Sequence, residues 1–327
     1  MNILVTGGAG YVGSHAVKLL AERGHDVWVY DSLAEGHRQA VSAEKLIVGD
    51  LLDRAKVESE LCKHQIEAVM HFAAFAYVGE SVTDPAKYYR NNVVGTLSLL
   101  DAMRSCGAKR IVFSSTCATY GVPERVPIRE DHPQQPINPY GFTKLVIERA
   151  LADYCHSYEL GYAALRYFNA AGAASDGTIG EDHDPETHLI PIVLQVALGQ
   201  RSHVDIYGTD YPTSDGTCIR DYIHVDDLAT AHLAAIEKVE PGVELKLNLG
   251  TGNGASVREV IEACQAVTGR EIATREIGRR PGDPPELVAD ANAARELLDW
   301  DPQFKSIRPI VESAWRWHSA HPRGYPK

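Results

Sequence analysis

Asn2-Ile3-Leu4-Val5-Thr6-Gly7-Gly8-Ala9-Gly10-Tyr11-Val12-Gly13 opens the chain and decides its fold. The apolar run from Asn2 to Thr6 does not alternate, so it reads as a strand buried on both faces. The stretch from Val12 to Arg23 reads as a helix. Between them, Gly8, Gly10 and Gly13 satisfy G-x-G-x-x-G, while Gly7, Gly10 and Gly13 satisfy G-x-x-G-x-x-G. Glycine permits the tight turn and a close backbone approach to a pyrophosphate, whose charge the helix N-terminus attracts. The motif carries weight because a strand precedes it and a helix follows. Asp31 ends the second predicted strand, about 20 residues on, where an acid binds an adenine ribose. A carboxylate there repels a 2′-phosphate, so NAD is expected over NADP.

Working outward, short apolar runs alternate with amphipathic stretches through the first half of the chain. Predicted strands are Asn2 to Thr6, Val27 to Asp31, Lys45 to Val48, Ala68 to Phe72, Arg110 to Ser114 and Tyr162 to Tyr167. Predicted helices span Val12 to Arg23, Arg54 to Lys63, Tyr88 to Arg104 and Tyr140 to Ser157. The fold class is therefore α/β, a Rossmann-type doubly wound parallel sheet. After Asn169 the texture changes to a Gly-, Ala- and Asp-rich segment, then helices and Pro- and Gly-punctuated loops. We expect a cofactor domain over residues 1–169 and a smaller mixed α/β domain over 170–327. Residues from about 221 to 250 are expected to pack back onto the first domain, with Leu245 to Leu249 as a returning strand.

The bulk properties narrow the function. A net charge of -12 argues against phosphate-backbone binding, so no nucleic-acid partner is expected. No apolar segment reaches membrane-spanning length, and no membrane partner is expected. Six scattered cysteines without a C-x-x-C pair suit a reduced cytoplasmic compartment better than a disulfide framework.

Chemistry is concentrated in Asn138-Pro139-Tyr140-Gly141-Phe142-Thr143-Lys144. On a helix, Tyr140 and Lys144 share a face, their Cβ atoms roughly 5–6 Å apart. Bringing a phenol from about 10 to neutrality needs roughly 4 kcal/mol. One cation at about 5 Å supplies about 3 kcal/mol at an effective dielectric of ~20. A second positive charge would complete the shift.

GGAGYVG, Asp31, HFAA, FSSTCATYG and NPYGFTK in this order resemble the extended short-chain dehydrogenase/reductases. GESVTDPAKYYRNNVVGTLSLLDAM, RYFNAAGA, THLIPIVLQVALG, YGTDYPTSDGTCIRDYIHVDDLA, NLGTGNG and RRPGDPPELVAD narrow the resemblance to UDP-galactose 4-epimerases, over nearly the whole chain. The resemblance implies NAD as cofactor, a UDP-hexose as substrate and a homodimer through the Tyr88 to Arg104 and Tyr140 to Ser157 helices. It implies that Tyr140 is the base, that Lys144 lowers its pKa and holds the nicotinamide ribose, and that Thr116 bridges the sugar 4-oxygen to Tyr140. Implied cofactor contacts are Gly7, Gly10, Tyr11, Val12, Gly13, Asp31, Ser32, Asp50 and Leu51. Phe72, Ala73, Ala74, Asn91, Ser114 and Tyr167 join them.

On the substrate side the resemblance implies Asn169, His188 and Leu189 at the diphosphate or sugar and Arg220 and Arg280 clamping the phosphates. Asp283 is implied at the uridine ribose, Tyr207 beside the uracil and Leu287 as the gatekeeper of sugar size. Three positions depart from the pattern. His188 stands where some relatives have Asn, Ala76 where some have Lys, and Leu287 where the family varies between a large aromatic and a smaller residue.

The implied reaction interconverts UDP-galactose and UDP-glucose. Hydride leaves C4, the 4-keto sugar turns over, and hydride returns to its other face. UDP-xylose/UDP-arabinose or UDP-GlcNAc/UDP-GalNAc epimerisation is the alternative. A 4,6-dehydratase would carry an acidic pair after Thr116, where this chain has Cys117-Ala118. A non-catalytic NAD sensor would be expected to lose Tyr140 or Lys144. His183, Asp184, Glu186 and His188 invite a metal, but their spacing fits no ordered helix pair, and no metal is expected.

Overall fold

The computed structural model describes residues 1–280 and 282–326. Six strands of the first half form as parallel neighbours: β1 (Asn2–Thr6), β2 (Asp26–Asp31), β3 (Leu46–Val48), β4 (Ala68–His71), β5 (Arg110–Thr116) and β6 (Gly161–Tyr167). The helices between them are α1 (Tyr11–Glu22), α2 (Arg54–Lys63), α3 (Val78–Thr83), α4 (Pro85–Tyr88), α5 (Gly95–Cys106) and α6 (Pro139–Tyr158). β1 lies between β2 and β4, so the order reverses beside it, and the glycine loop leaves β1 at this switch point.

β1, β4 and β5 are buried along almost their whole length because helices cover both faces. One layer packs Ile3, Val5, Met70, Val112 and Leu165; the other packs Leu4, Val69, Ile111, Phe113 and Tyr162.

The second half adds β7 (Asn169–Ala171), α7 (Leu189–Ala197), β8 (Val204–Tyr207), β9 (Ile219–His224), α8 (Val225–Lys238) and β10 (Glu244–Leu249). β11 (Gly254–Ser256), α9 (Val257–Thr268), β12 (Thr274–Ile277), β13 (Glu286–Leu287), α10 (Asn292–Leu298) and α11 (Ile307–Ala320) complete it. β10 pairs in parallel with β6 as the seventh strand of the main sheet, and α8 packs on α1. β7, β9, β11 and β13 form a small sheet, and β8 pairs with β12.

Three expectations need correction. Tyr88 to Arg104 is not one helix, because a π turn over Tyr89–Val94 separates α4 from α5. Asn92, in that turn, is fully buried and bonded away from the helix axis, to Phe75 and Thr143. Second, the second half holds strands where none was predicted, among them β9 just after the Pro- and Gly-punctuated loops. β9 reads Ile-Arg-Asp-Tyr-Ile-His and carries no apolar alternation. It is stabilised instead by Asp221, whose carboxylate accepts from the backbone N–H groups of Thr251, Gly252 and Ala289.

The third correction concerns the thiols. Cys62 and Cys106 form a disulfide, since α2 and α5 pack together and bring their Cα atoms to 5.3 Å. Spacing along the chain could not show this, because the two lie 44 residues apart. Cys117, Cys155, Cys218 and Cys264 remain free.

Candidate active site

The glycine loop forms a cradle. Gly7 has φ +71°, and a Cβ there would stand 2.4 Å from the Ala73 backbone nitrogen. A Cβ on Gly13 would stand 2.2 Å from the Gly7 carbonyl oxygen, so this glycine sets how closely α1 packs on the loop. Gly10 differs, because its Cβ would meet only the Gly7 oxygen, at 3.4 Å. Gly8 is also close-packed, since a Cβ there would stand 3.0 Å from the Val29 side chain. Gly10 caps α1 without a side-chain hydrogen bond, and no acidic residue sits in the first turn. Those N–H groups are open to an anion, which fits a dinucleotide pyrophosphate.

Asp31 is buried at the end of β2, accepting from the backbone N–H groups of Ala9 at 2.9 Å and Leu33 at 2.8 Å. Burial pushes its carboxyl above the ordinary range, and the two N–H groups hold part of that shift back. Ser32 is exposed beside it. Asp50 is exposed and turns back to the Leu52 N–H at 2.8 Å, with Leu51 buried. Phe72, Ala73 and Ala74 follow β4 as half-buried residues, the close approach to Gly7 occurring at Ala73.

Asn138 caps α6 by accepting from the Gly141 N–H at 2.8 Å, and Pro139 fills the first turn. This start orients Tyr140 and Lys144 along one face toward the C-terminal end of β5. Lys144 is 2% exposed and donates to the Ser114 carbonyl at 2.7 Å. Its Nζ lies 4.8 Å from the Phe113 ring centre and 5.9 Å from that of Tyr140. Burial lowers Lys144 to about 7, with Glu148 one turn further along opposing the shift.

Burial also pushes the Tyr140 phenol above its ordinary value, helped by Tyr167, while the Thr116 hydroxyl works the other way. This revises the sequence reading, in which Lys144 alone brought the phenol most of the way to neutrality. Desolvation is the largest influence on the phenol, which leaves the base to be completed by a positive charge beyond Lys144. Ser114 and Tyr167 share a hydrogen bond at 2.5 Å beside this group.

Across the cleft, Arg220 is anchored to the Ile219 carbonyl at 2.8 Å and to Asp283 at 3.2 Å. The Arg280 guanidinium stacks 3.7 Å from the Tyr207 ring centre. Leu287 pairs in register with Arg220 and packs on the cluster holding Cys117 and Phe168. The positive charge of Arg220 reaches the Cys117 thiol, the residue after Thr116. Asn169 begins β7 opposite Tyr222, and His188 precedes Leu189 at the start of α7.

Several contacts around these residues escaped the sequence reading. Asn91 does not stand alone, because its amide donates to Asn92 Oδ1 at 2.9 Å. Asn92 holds the loop after β4 through both Phe75 backbone groups and reaches Thr143 on α6 at 3.2 Å. Glu148 forms a buried pair with Arg166 at 2.6 Å and accepts from Ser115 at 2.5 Å. Tyr11 donates to the Gly172 carbonyl at 2.7 Å, tying the glycine loop to the second half of the chain. The doubled Asn was the only signal in the sequence for Asn92, and Glu148 carried none beyond its place in a predicted helix.

His183, Glu186 and His188 do come together, but with Glu181 in place of Asp184. Against the burial that would lower them, the two carboxylates raise His183 to about 9 and His188 to about 10.

The profile of the NAD dependent epimerase/dehydratase family matches residues 3–250. A UDP-glucose 4-epimerase from Halalkalibacterium halodurans is 53% identical over 326 residues, covering 99% of this chain and 98% of its own. One from Rhizobium meliloti is 51% identical over 324 residues, with 99% and 98% covered. Among solved structures, a UDP-glucose 4-epimerase from Brucella ovis in complex with NAD superposes with a TM-score of 0.93 at 53% identity, covering 96% of this chain and 97% of that one. One from Bifidobacterium longum in complex with NAD+ and UDP gives a TM-score of 0.94 at 38% identity, covering 99% and 100%.

Proposed function

The chain belongs to the NAD dependent epimerase/dehydratase family, and on that premise we propose that it interconverts UDP-galactose and UDP-glucose in the cleft between β5–α6 and β9–β13. The observation that carries this reading is the group Tyr140, Lys144 and Thr116 with Cys117-Ala118 following. The base is present and the acid needed for dehydration is not.

NAD fits the Gly7-Gly10-Gly13 cradle and Asp31; when bound, it supplies the oxidation and re-reduction of the sugar at C4. Tyr140 takes the proton of the 4-hydroxyl, directly or through Thr116, and later returns it to the same oxygen. Lys144, fixed by the Ser114 carbonyl, holds its charge beside the phenol and reaches the nicotinamide ribose. Ser114 and Tyr167 line the nicotinamide side. Arg220 and Arg280 grip the diphosphate, Asp283 the uridine ribose and Tyr207 the uracil, while Asn169, His188 and Leu189 border the sugar. The grip keeps UDP in place while the sugar turns.

The proposed cofactor lobe comprises residues 1–169 with α8 and β10, the remainder forming the sugar-nucleotide lobe. A homodimer through α5 and α6 completes the proposal, supported by the exposed apolar side chains of Tyr89, Val94, Leu97 and Phe142. The proposed compartment is the cytoplasm, and among the described residues no helix is long and apolar enough to cross a membrane.

The test is an isotope experiment on the full chain with NAD and UDP-galactose deuterated at C4. The expected product is UDP-glucose with its deuterium retained and no net NADH. Loss of the label to solvent, or no conversion, contradicts the proposal.

A further inference from the structure

We propose that Glu181, His183, Glu186 and His188 form a site for a divalent transition-metal ion of the zinc class. The four occupy the segment between β7 and α7, and their ligand atoms all lie within 4.8 Å of one another. His188 Nδ1 stands 2.9 Å from Glu181 and 3.0 Å from Glu186. His183 Nδ1 stands 3.3 Å from Glu181 and 3.6 Å from Glu186. A tetrahedral zinc with bonds of about 2.0–2.1 Å separates its donors by about 3.3 Å. The four histidine-to-carboxylate spacings bracket that value.

Burial supports the distances. Glu181 is 3% exposed, yet its Oε1 has no hydrogen-bond partner among the described residues, and the His183 Nδ1 facing it has none either. Two buried polar atoms 3.3 Å apart, neither of them hydrogen-bonded, leave unmet donor and acceptor capacity at one point. A cation there satisfies both. Two imidazoles and two carboxylates are a donor set that zinc accepts, and with neutral imidazoles the site balances a double positive charge.

The surroundings orient the ligands. Glu186 Oε1 accepts from the backbone N–H groups of Thr187 and His188, both at 2.7 Å. The rings of Tyr11 and Tyr77 meet His183 edge-on. Glu181, His183 and Glu186 also line a polar cavity of about 170 Å³ with Asp182 and His318, which gives an ion a path to the donors. Asp184 lies outside the group, which is why chain spacing alone argued against a metal. The ion would brace the segment that leads into His188 and Leu189, a positioning role separate from the redox chemistry.

The full chain, carrying no histidine tag, is stripped with chelator, given zinc, passed through gel filtration and assayed for metal content. Retention of one zinc per chain is expected, with a raised thermal midpoint. Cobalt(II) in its place should give the intense d–d absorption of a tetrahedral site. Glu181→Gln and His183→Gln should each lose retained zinc, the midpoint rise and that spectrum, and His183→Gln decides the matter if the Glu181 variant does not fold. Metal-free elution of the wild type, a weak octahedral cobalt spectrum, or full zinc retention by a folded variant overturns the proposal. None of these readouts depends on epimerase activity, so failure here leaves the proposed reaction standing.

Discussion

Lys144 sits 2% exposed among Phe113, Tyr140 and the Ser114 carbonyl, an expensive place for an ammonium group. Its folded pKa of about 7 lies below the ordinary 10.5. The unfolded chain therefore binds more protons between these values, and stability rises with pH across that window. The penalty is absent above 10.5, grows as pH falls, and is complete below about 7. The gap corresponds to roughly 5 kcal/mol at most. Urea unfolding of the cofactor-free chain should show Lys144→Met more stable than wild type near neutrality, the difference shrinking toward pH 10.5. Such a cost at a single residue is characteristic of a functional site, where stability is exchanged for a poised charge.

Single elements carry the next set of expectations. At the β1–α1 turn, Gly10→Ala should fold nearly as wild type but bind NAD weakly, since its Cβ meets only one oxygen at 3.4 Å. Gly13→Ala should lose stability as well as NAD, its Cβ falling 2.2 Å from the Gly7 oxygen. Thermal unfolding with and without NAD separates the two. Between α6 and β6, Arg166→Met strands Glu148 in the interior and should cost about 3–5 kcal/mol in denaturant unfolding. Replacing both partners with apolar residues should recover much of that loss.

Elements of the first half were legible in the sequence because buried parallel strands are continuously apolar and their helices amphipathic. Arg54 to Lys63 came out with its ends in place, and Tyr140 to Ser157 within one residue at each end. The strands of the small sheets were not legible. β9 owes its place to Asp221 and to partners far along the chain, which no local period records. Glu181 was missed for the same reason, since its neighbours in space are set by the path of a loop. The family motifs singled out Tyr140, Lys144, Thr116 and both arginines as site candidates.

At the scale of the whole molecule, α5 and α6 lie on one side of the main sheet, and Val94 in the π turn before α5 and Leu97 in α5 stand 52% and 37% exposed. Burying such a face against a second copy removes apolar surface from water at about 25 cal/mol per Å². The proposed dimer predicts that Leu97→Glu combined with Val94→Glu shifts sedimentation from dimer to monomer without unfolding the sheet.

The proposed chemistry turns on the Tyr140 phenol. Its most direct test is turnover of UDP-galactose by Tyr140→Phe, with circular dichroism and NAD content measured on the same sample. Loss of a general acid–base should lower turnover by about 10²–10⁴-fold, while fold and bound NAD remain. Wild-type turnover by the folded variant would contradict the assignment of Tyr140 as the base.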